Sequence, residues 1–563
     1  MRGMVSIGTF WLSLVAICLL RTSANTCPAG AKPITTPSAA SENGVISHAN
    51  LFTVTYYSTY KVVRYNDALG RYKLTWPNQA DQGAPIPDLV LYQCETERPT
   101  TSYNGVSENA LFFEIPIQSA AVPWSGVLHF FELLSVTEAI TQIDMSYITS
   151  PCMQLLEVCI PGVHESAFSA SWMNHTLDAE AVFTDSSGTG FSNTTRDVVF
   201  DVTYEPGALK RAEWIRFLAL FFNEEEKADA VMSQIENDYN ALKAEATHLL
   251  ASGTTEFGSR KPRVAWVSST PHTCPSDFVC ESSGWKVQPS GSWCQCGGWS
   301  ISNAYYKEQL VRDAGGELIS MPSIRDGNCS MIVVGDGSST YACLTPAADH
   351  FKEQLEDADV IVDETYAWNN GPYSLEDFTS NFGVAGATIS AMSREAVFRI
   401  DGSISDATEG GTVGTNWFEQ LHVQPQQILA ELMMTMWGEA SSSLCSFKYL
   451  RALYGNAAQT INEHADCPMY DANGTHNCEG IHDVEHHIPI CASTTTTTTA
   501  VLPESGSSDD DDDSTAIGLG LGLGLGLGLP LLAIGAFLMY RYGKAGSNTG
   551  GGGTSNTVIG QPV

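Results

Sequence analysis

Three groups of residues in this chain have types and spacings that could do chemistry. The first is a loop, Ser269–Ser300, carrying Cys274, Cys280, Cys294 and Cys296 among Trp285, Trp293 and Trp299. Four thiolates can hold zinc in a tetrahedron; in an oxidising compartment the same thiols pair as disulfides, and the loop becomes a stapled rim or lid. The second is His464–Cys491, where His464, His476, His482, His486 and His487 lie among Cys467, Cys478 and Cys491. His482 and His486 are one helical turn apart and could share a metal; the alternative is a disulfide-knotted loop with exposed histidines. The third is a set at the ends of expected strands: Trp124 and Ser125, Tyr204 and Glu205, Tyr366 and Trp368, with Trp299 on the rim loop. Aromatic walls with a few hydrogen-bonding groups suit a bulky, mostly apolar small molecule. Each aromatic could instead pack in a core. No phosphate-cradling glycine loop and no Gly-x-Ser-x-Gly elbow is present, and no spacing ties Ser, His and Asp together. No catalytic residue, resident cofactor or metal ligand set is assigned.

These residues need a frame. Strand-like runs rich in β-branched and aromatic residues occur at Leu51–Tyr57, Tyr60–Tyr65, Leu89–Tyr92, Leu111–Ile117, Ala181–Thr184 and Val198–Tyr204, with a helix at Val127–Leu134. After Pro206-Gly207, Ile215, Leu218 and Phe222 recur at helical spacing, and Ala228, Val231, Ile235, Tyr239 and Leu242 continue the pattern to about Leu250. Asn223 interrupts it, with Glu226 three residues on, a capping-box spacing that predicts two consecutive helices. Arg211 and Glu213 suggest a surface pair on the first. Beyond the linker Gly253–Pro262 the chain alternates. Strands are expected at Val264–Ser268, Leu318–Met321, Val360–Asp363 and Val397–Asp401, and helices at Ile301–Ala314, Pro346–Leu355, Pro425–Trp437 and Phe447–Tyr454. Alternation of this kind predicts a doubly wound parallel sheet, which binds ligands at the carboxyl ends of its strands. The expected fold is α/β: two doubly wound lobes, residues 43–207 and 260–455, joined by helices over 208–250, with a ligand cleft between them.

The ends of the chain set a compartment. Residues 1–24 have a positive start, a short apolar stretch and a small-residue cleavage site, as in a signal peptide. Residues 516–540 are apolar and uncharged, long enough for one transmembrane helix, with Asp509–Asp513 before them and Arg541 and Lys544 after. That order predicts a single-pass type I protein of the plasma or endosomal membrane, with residues 541–563 cytoplasmic. Residues 456–492 form a Cys/His-rich segment and 493–515 a Thr/Asp-rich stalk. Asn174, Asn193, Asn328 and Asn473 stand in glycosylation acceptor triplets. Without Cys18, removed with the signal, the cysteine count is even, which predicts disulfides. The 63 acidic residues against 28 basic ones, a formal charge of −35, exclude a basic nucleic-acid face.

Two segments are similar to a known family. The run from Tyr204-Glu205-Pro206-Gly207 through Arg211, Glu213 and Trp214 to Asn223, and the later run from Asp401 through Trp417 to the helix opened by Pro425, resemble the helical-backbone substrate-binding proteins of iron–siderophore and cobalamin importers. The stretch from Phe52 to Val63 looks like the opening of its algal and cyanobacterial branch. With signal, stalk and span, the chain resembles the membrane-anchored ferrichrome-binding proteins of diatoms and related algae. The resemblance covers about Asn50 to Tyr454. It implies two α/β lobes bridged by a long helix, with little closure. It also implies a receptor for an iron chelate such as a ferric hydroxamate siderophore, served by a permease, ferric reductase or endocytic partner. Rival readings are the same fold with cobalamin, haem or a free metal ion, an adhesion or signalling ectodomain, and a secretory hydrolase.

Overall fold

The structure is a computed structural model. It describes residues 27–28, 31–34, 46–66, 86–144, 147–159, 179–184, 195–270, 285–287, 293–295, 297–319, 329–333, 339–344, 348–366, 373–384, 389–406, 413–441, 446–455 and 457–469. The signal, stalk, apolar span and tail, the four glycosylation acceptors, Trp368, and the cysteines 274, 280, 296, 478 and 491 lie outside these residues. Among the described residues, no helix is long and apolar enough to cross a membrane.

The first half holds two four-stranded sheets. β1 (Phe52–Tyr56), β2 (Tyr60–Tyr65) and β3 (Leu89–Gln93) pair antiparallel, and β4 (Leu111–Ile115) joins β3 in parallel. The second sheet contains β5 (Ala120–Val122), followed by α1 (Leu128–Leu134), then β6 (Ile140–Ile143), α2 (Pro151–Cys159), β7 (Ala181–Thr184) and β8 (Asp197–Val199). Its order is β6-β5-β7-β8, all parallel. β6 and α2 are elements the sequence patterns did not reveal. Val198–Tyr204 is shorter as a strand than expected: Val202–Tyr204 is a 3-10 turn.

Three helices link the halves: α3 (Ala208–Ala212), α4 (Trp214–Ala219) and the 28-residue α5 (Glu225–Ser252). At 1.5 Å per residue α5 is about 42 Å long. Its buried stripe, Ala228, Met232, Ile235, Tyr239, Leu242, Ala246 and Leu249, repeats at alternating four- and three-residue spacing, one face along the whole helix. The break before α5 falls where Asn223 predicted it, but not through a capping box. Asn223 adopts a left-handed φ of 56°. Its side chain accepts from Lys61 Nζ and donates to the Lys32 carbonyl, both at 2.8 Å.

The second half is built on β9 (Arg263–Thr270), the hairpin strands β10 (Trp285–Val287) and β11 (Trp293–Gln295), and β12 (Gly298–Asn303). After α6 (Tyr305–Asp313) come β13 (Glu317–Leu318), β14 (Cys329–Val333), β15 (Ser339–Leu344), α7 (Ala348–Leu355) and β16 (Val360–Asp363). Then follow α8 (Leu375–Asn381), α9 (Ser390–Ser393), β17 (Val397–Arg399), β18 (Ser403–Ser405), α10 (Asn416–Gln420), α11 (Pro425–Trp437), β19 (Arg451–Ala452) and β20 (Thr460–Asn462). The main sheet runs β14-β15-β12-β9-β16-β17-β19, with β13 beside β9. Only the β13, β9, β16 and β17 pairings are parallel; β12, β14, β15 and β19 run against their neighbours, so the sheet is mixed rather than doubly wound. Ile301, expected to open a helix, lies inside β12, and the helix starts four residues later at Tyr305. Phe447–Tyr454 is not a helix: Arg451–Ala452 pairs with β17 instead.

β9 and β16 are buried on both faces, which explains their unbroken apolar runs. Val264, Trp266, Val360 and Val362 face a core that extends through α5, α11 and the first half; Ala265, Val267 and Ile361 face a second core with Phe351 and Phe378. The two halves therefore share hydrophobic packing through the connector.

Disulfides join Cys27 to Cys94 and Cys152 to Cys467. The second bond, with β20 paired in parallel to β18, draws residues 457–469 back onto the lobes. The sequence groups these residues with a membrane-proximal segment.

Candidate ligand cleft between the lobes

The carboxyl ends of the parallel strands of both halves converge on the segment around α10. Trp124 follows β5 and reaches His422, just beyond α10, ring centroids 6.1 Å apart in an edge-on pair. A Cβ at Gly126 would stand 2.6 Å from the Trp124 indole, so glycine lets the ring fold back over its own turn. Tyr147, beyond β6, has a left-handed φ of 72°, and its carbonyl presses on Gly414, where a Cβ would lie only 2.1 Å away. On the second lobe Tyr366, three residues past β16, donates its hydroxyl to the Val413 carbonyl at 3.3 Å. Trp124, Ser125, Tyr147 and Tyr366 are all half-buried. Burial pushes the Tyr366 phenol up to about 12 and raises that of Tyr147, with the nearby Tyr366 and Asp144 adding to it. Both phenols are neutral donors at ordinary pH.

Below this seam the second lobe supplies aromatic and cationic groups. Trp266 of β9 and Trp417 of α10 pack with centroids 5.6 Å apart. Lys307 of α6 lies 5.1 Å over the Trp266 ring and is paired with Glu364, which follows β16. Arg211 of α3 lies 3.8 Å over Tyr306. At the ends of β16 and β17 a balanced set of charges is already paired. Arg399 bonds Asp363 at 2.9 Å and Asp401 at 2.8 Å, while Arg451 holds both oxygens of Asp401 at 2.9 and 3.0 Å. Burial alone would raise Asp401, but Arg399 and Arg451 hold it below the usual carboxylate range. This edge is occupied by its own salt bridges and offers a ligand mostly hydrogen-bonding and aromatic contacts.

The residues singled out from the sequence separate into groups. Trp124, Ser125 and Tyr366 stand at the seam, on connections after strands of opposite halves. Tyr204 is half-buried against the main core. Glu205 is fully buried and accepts from the backbone N–H groups of Asn50 and Leu51 at 2.8 and 2.9 Å, so one of its oxygens fastens the segment entering β1. Trp299, in β12, is 4% exposed and packs on Phe351 at 4.4 Å in the second core. Trp368 lies outside the described residues, as does most of the Ser269–Ser300 loop. Among the described residues, no group of three or more His, Cys, Asp or Glu is arranged to hold a metal ion.

Arg211 and Glu213 are not a surface pair. Both are buried, and they face different partners. Arg211 donates to the carbonyls of Glu205 and Thr203 at 2.9 and 2.7 Å. Glu213 accepts from the N–H groups of Ser47, His48 and Ala49 at 2.8, 2.6 and 2.5 Å, and from Arg216. Burial would raise its carboxyl, but those donors and Arg216 hold it below the usual range.

Sequence reasoning missed Tyr147 and His422. Tyr147 follows β6, whose Ile140-Thr-Gln-Ile sequence puts its two apolar residues three apart and so shows no strand alternation. His422 lies three residues before the Pro425 that opens α11, a helix-entry position.

No known family model matches the sequence, and no curated protein matches it. Several solved structures are similar. An ABC transporter substrate-binding protein from Listeria monocytogenes is 12% identical over 57% of this chain and 99% of its own, with a TM-score of 0.35. A periplasmic heme binding protein from Pseudomonas aeruginosa is 11% identical over 59% and 97%, TM-score 0.36. An ABC-type Fe3+-hydroxamate transport system from Saccharomonospora viridis is 11% identical over 57% and 94%, TM-score 0.36. At these values the reading of the cleft rests on the chain's own residues.

Proposed function

We propose that this chain is a cell-surface receptor that captures an iron chelate of the ferric hydroxamate class between its lobes and does not turn it over. The observation that carries the reading is the seam itself. Half-buried Trp124 and Tyr147 from one half meet His422 and the Tyr366–Val413 contact from the other, so a ligand lying there would touch aromatic surface and neutral hydroxyl donors from both. A hydroxamate complex presents apolar arms around oxygen acceptors, and this lining matches that chemistry. The sequence resemblance from Asn50 to Tyr454 points the same way, and the long α5 packed against helices of both halves suits a receptor with little closure. Anchoring through residues 516–540 would leave transport to a permease, ferric reductase or endocytic partner.

A hydrolase fits less well. The buried hydroxyl–carboxylate–imidazole set near the seam is Ser150–Glu132–His129, with the carboxylate in the middle. In a nucleophilic triad the imidazole must stand between hydroxyl and carboxylate to take the proton. Here Ser150 donates to Glu132, and the imidazole stands on the far side of the carboxylate.

The test is a titration of the purified full-length chain with ferrichrome, haem, cyanocobalamin and ferric citrate, followed by tryptophan fluorescence and calorimetry. Saturable 1:1 binding of ferrichrome, with the chelate recovered intact, is expected. Preference for haem or cobalamin would keep the cleft and replace the ligand. No binding by any of them would sink the receptor reading.

A further inference from the structure

Three buried carboxylates lie where the lobes meet: Glu132 on α1, Glu419 on α10 and Glu431 on α11. Two consecutive first-lobe residues stitch the first two together. Thr149 donates its backbone N–H to Glu419 Oε2 at 2.6 Å, and its hydroxyl bonds the same oxygen. The neighbouring Ser150 hydroxyl donates to Glu132 Oε1. Glu132 Oε2 lies 2.6 Å from His129 Nδ1. Across the seam, the Gln424 amide nitrogen is 2.8 Å from His129 Nε2, which leaves the imidazole proton on Nδ1, facing Glu132. Gln424 Oε1 in turn accepts from the Tyr449 hydroxyl at 2.7 Å. Glu431 accepts from the N–H groups of Lys448, Tyr449 and Leu450 at 3.0, 3.0 and 2.7 Å. A polar chain thus crosses from one half to the other through the interior.

The charges that face this cluster are few. From α1 come His129 and Glu132; from the second half come Glu419, Glu431, Lys448 and the Tyr449 hydroxyl. The turn Ser125–Val127 brings no charge, and β18 brings Ser403 and Ser405, with Asp401 already paired to Arg399 and Arg451. Behind α1, Arg216 is paired with Glu213 and Asp229, and Lys227 donates to Ser135 at 2.6 Å. Among the described residues these three carboxylates face Lys448 and the imidazole of His129, and burial keeps the His422 imidazole neutral. Glu419 Oε1 is buried with no hydrogen-bond partner. An ionised Glu419 would keep the Thr149 donors on Oε2 but leave Oε1 buried and unpartnered near a second carboxylate, an arrangement that low-dielectric surroundings penalise.

We propose that Glu419, Glu132 and the Thr149–Ser150 pair between them form a proton-operated latch across the lobe seam, closed while Glu419 is protonated and loosened when it ionises. Burial, reinforced by the charge of Glu132, pushes the Glu419 carboxyl up to about 8 against the pull of donors on Thr149 and Ser150. Loosening lets water reach Oε1 by drawing Glu419 away from Glu132, while the Thr149 donors stay with the ionised carboxylate. The disulfide Cys152–Cys467 lies two residues past Ser150, so this edge stays tethered and the movement is a local hinge, not a separation of lobes. The latch is independent of which ligand the cleft takes.

Hydrogen exchange of the full-length chain, corrected for the intrinsic pH dependence of exchange, reads the seam directly. Between pH 6.5 and 9.5 the peptides covering 147–150 and 416–424 should lose protection at least tenfold, while β2 and β3 stay unchanged. Glu419→Gln keeps an acceptor for Thr149 and cannot ionise, so its seam protection should be flat with pH. Wild-type protection that does not change with pH overturns the latch without any variant. So does loosening of the whole chain in step with the seam, or a Glu419→Gln variant that follows the wild type.

Discussion

Cys152, at the start of α2, is bonded to Cys467, 315 residues later and beyond the last strand of the second half. The bond joins the first half to a segment that is itself zipped to the second: β20 pairs with β18, and Gln154 Nε2 donates to the Asn462 carbonyl at 3.2 Å. It is a strap over one edge of the lobe seam.

Cutting that strap should be costly. A disulfide that closes so long a loop removes much freedom from the unfolded chain, and losing one costs about 2–5 kcal/mol. Cys152→Ser with Cys467→Ser should lower the denaturation midpoint accordingly and raise proteolysis within 457–469. An unchanged midpoint would show that the strap is held by β18 pairing and packing alone.

Gly414 tests how closely the lobes must approach. With the Tyr147 carbonyl 2.1 Å from where its Cβ would be, Gly414→Ala forces the two segments apart. Overpacking of this kind costs about 1–3 kcal/mol. Thermal unfolding should show the loss, and hydrogen exchange should place it at 147–150 and 413–416. Loss spread evenly over the chain would argue against a specific contact.

Glu213 and Glu431 should give opposite pH dependences. Glu213 is held below the usual carboxylate range in the folded chain, so its contribution is present above the unfolded pKa and lost as pH falls through the folded one. Removing this buried carboxylate as Glu213→Ala should cost about 3–5 kcal/mol near neutrality, because Arg216 is left with Asp229 alone and the N–H groups of Ser47, His48 and Ala49 lose their acceptor. Glu431 behaves in reverse. Burial raises its carboxyl from 4.5 to about 7, although backbone donors pull it down. The folded state then binds more protons than the unfolded one between those values, so stability falls as pH rises through that window. Glu431→Gln should flatten the fall. Denaturant midpoints at half-unit pH steps from 4 to 9 would separate the two, and an unaltered profile in Glu431→Gln would show that its proton is not linked to folding.

The parts of the fold legible in the sequence are those where one residue's pattern settles the matter locally. Tyr60–Tyr65, Ala181–Thr184, Val360–Asp363 and Pro425–Trp437 all lie where the periodicity or the proline puts them. Ile301 misled because β12, Gly298-Trp-Ser-Ile-Ser-Asn, carries few apolar residues of its own and runs into α6 with only Ala304 between them, so Ile301 reads as the first residue of the helical pattern. Arg211 and Glu213 misled because helical spacing invites an ion pair, while their partners are backbone groups up to 166 residues away. Local spacing carries no trace of such partners. The same holds for the seam: Trp124 and Tyr366 were reachable from strand-end topology, whereas His422 and Tyr147 are defined only by what the other half brings to them.

Trp124 and Tyr366 decide whether the seam is a binding cleft. Both are half-buried on connections after parallel strands of opposite halves, and they contact the segment that contains Gly414 at His422 and Val413 respectively. If a ferric hydroxamate lies against them, each aromatic should contribute as a large apolar side chain does on burial, about 1.5–3 kcal/mol. Trp124→Ala and Tyr366→Ala should then each weaken ferrichrome binding by roughly 10–150-fold. Tyr366→Phe keeps the ring and removes the hydroxyl that bonds Val413, so its affinity should stay closer to wild type. Stability should separate from affinity, because both rings are only half-buried; Trp124→Ala uncovers one side of His422 and Tyr366→Ala gives up the long bond to the Val413 carbonyl. Calorimetry of ferrichrome binding beside thermal unfolding distinguishes the two roles. Variants that bind as wild type, or that lose affinity only in step with their unfolding temperature, would make these rings part of the packing between the lobes and move the cleft elsewhere.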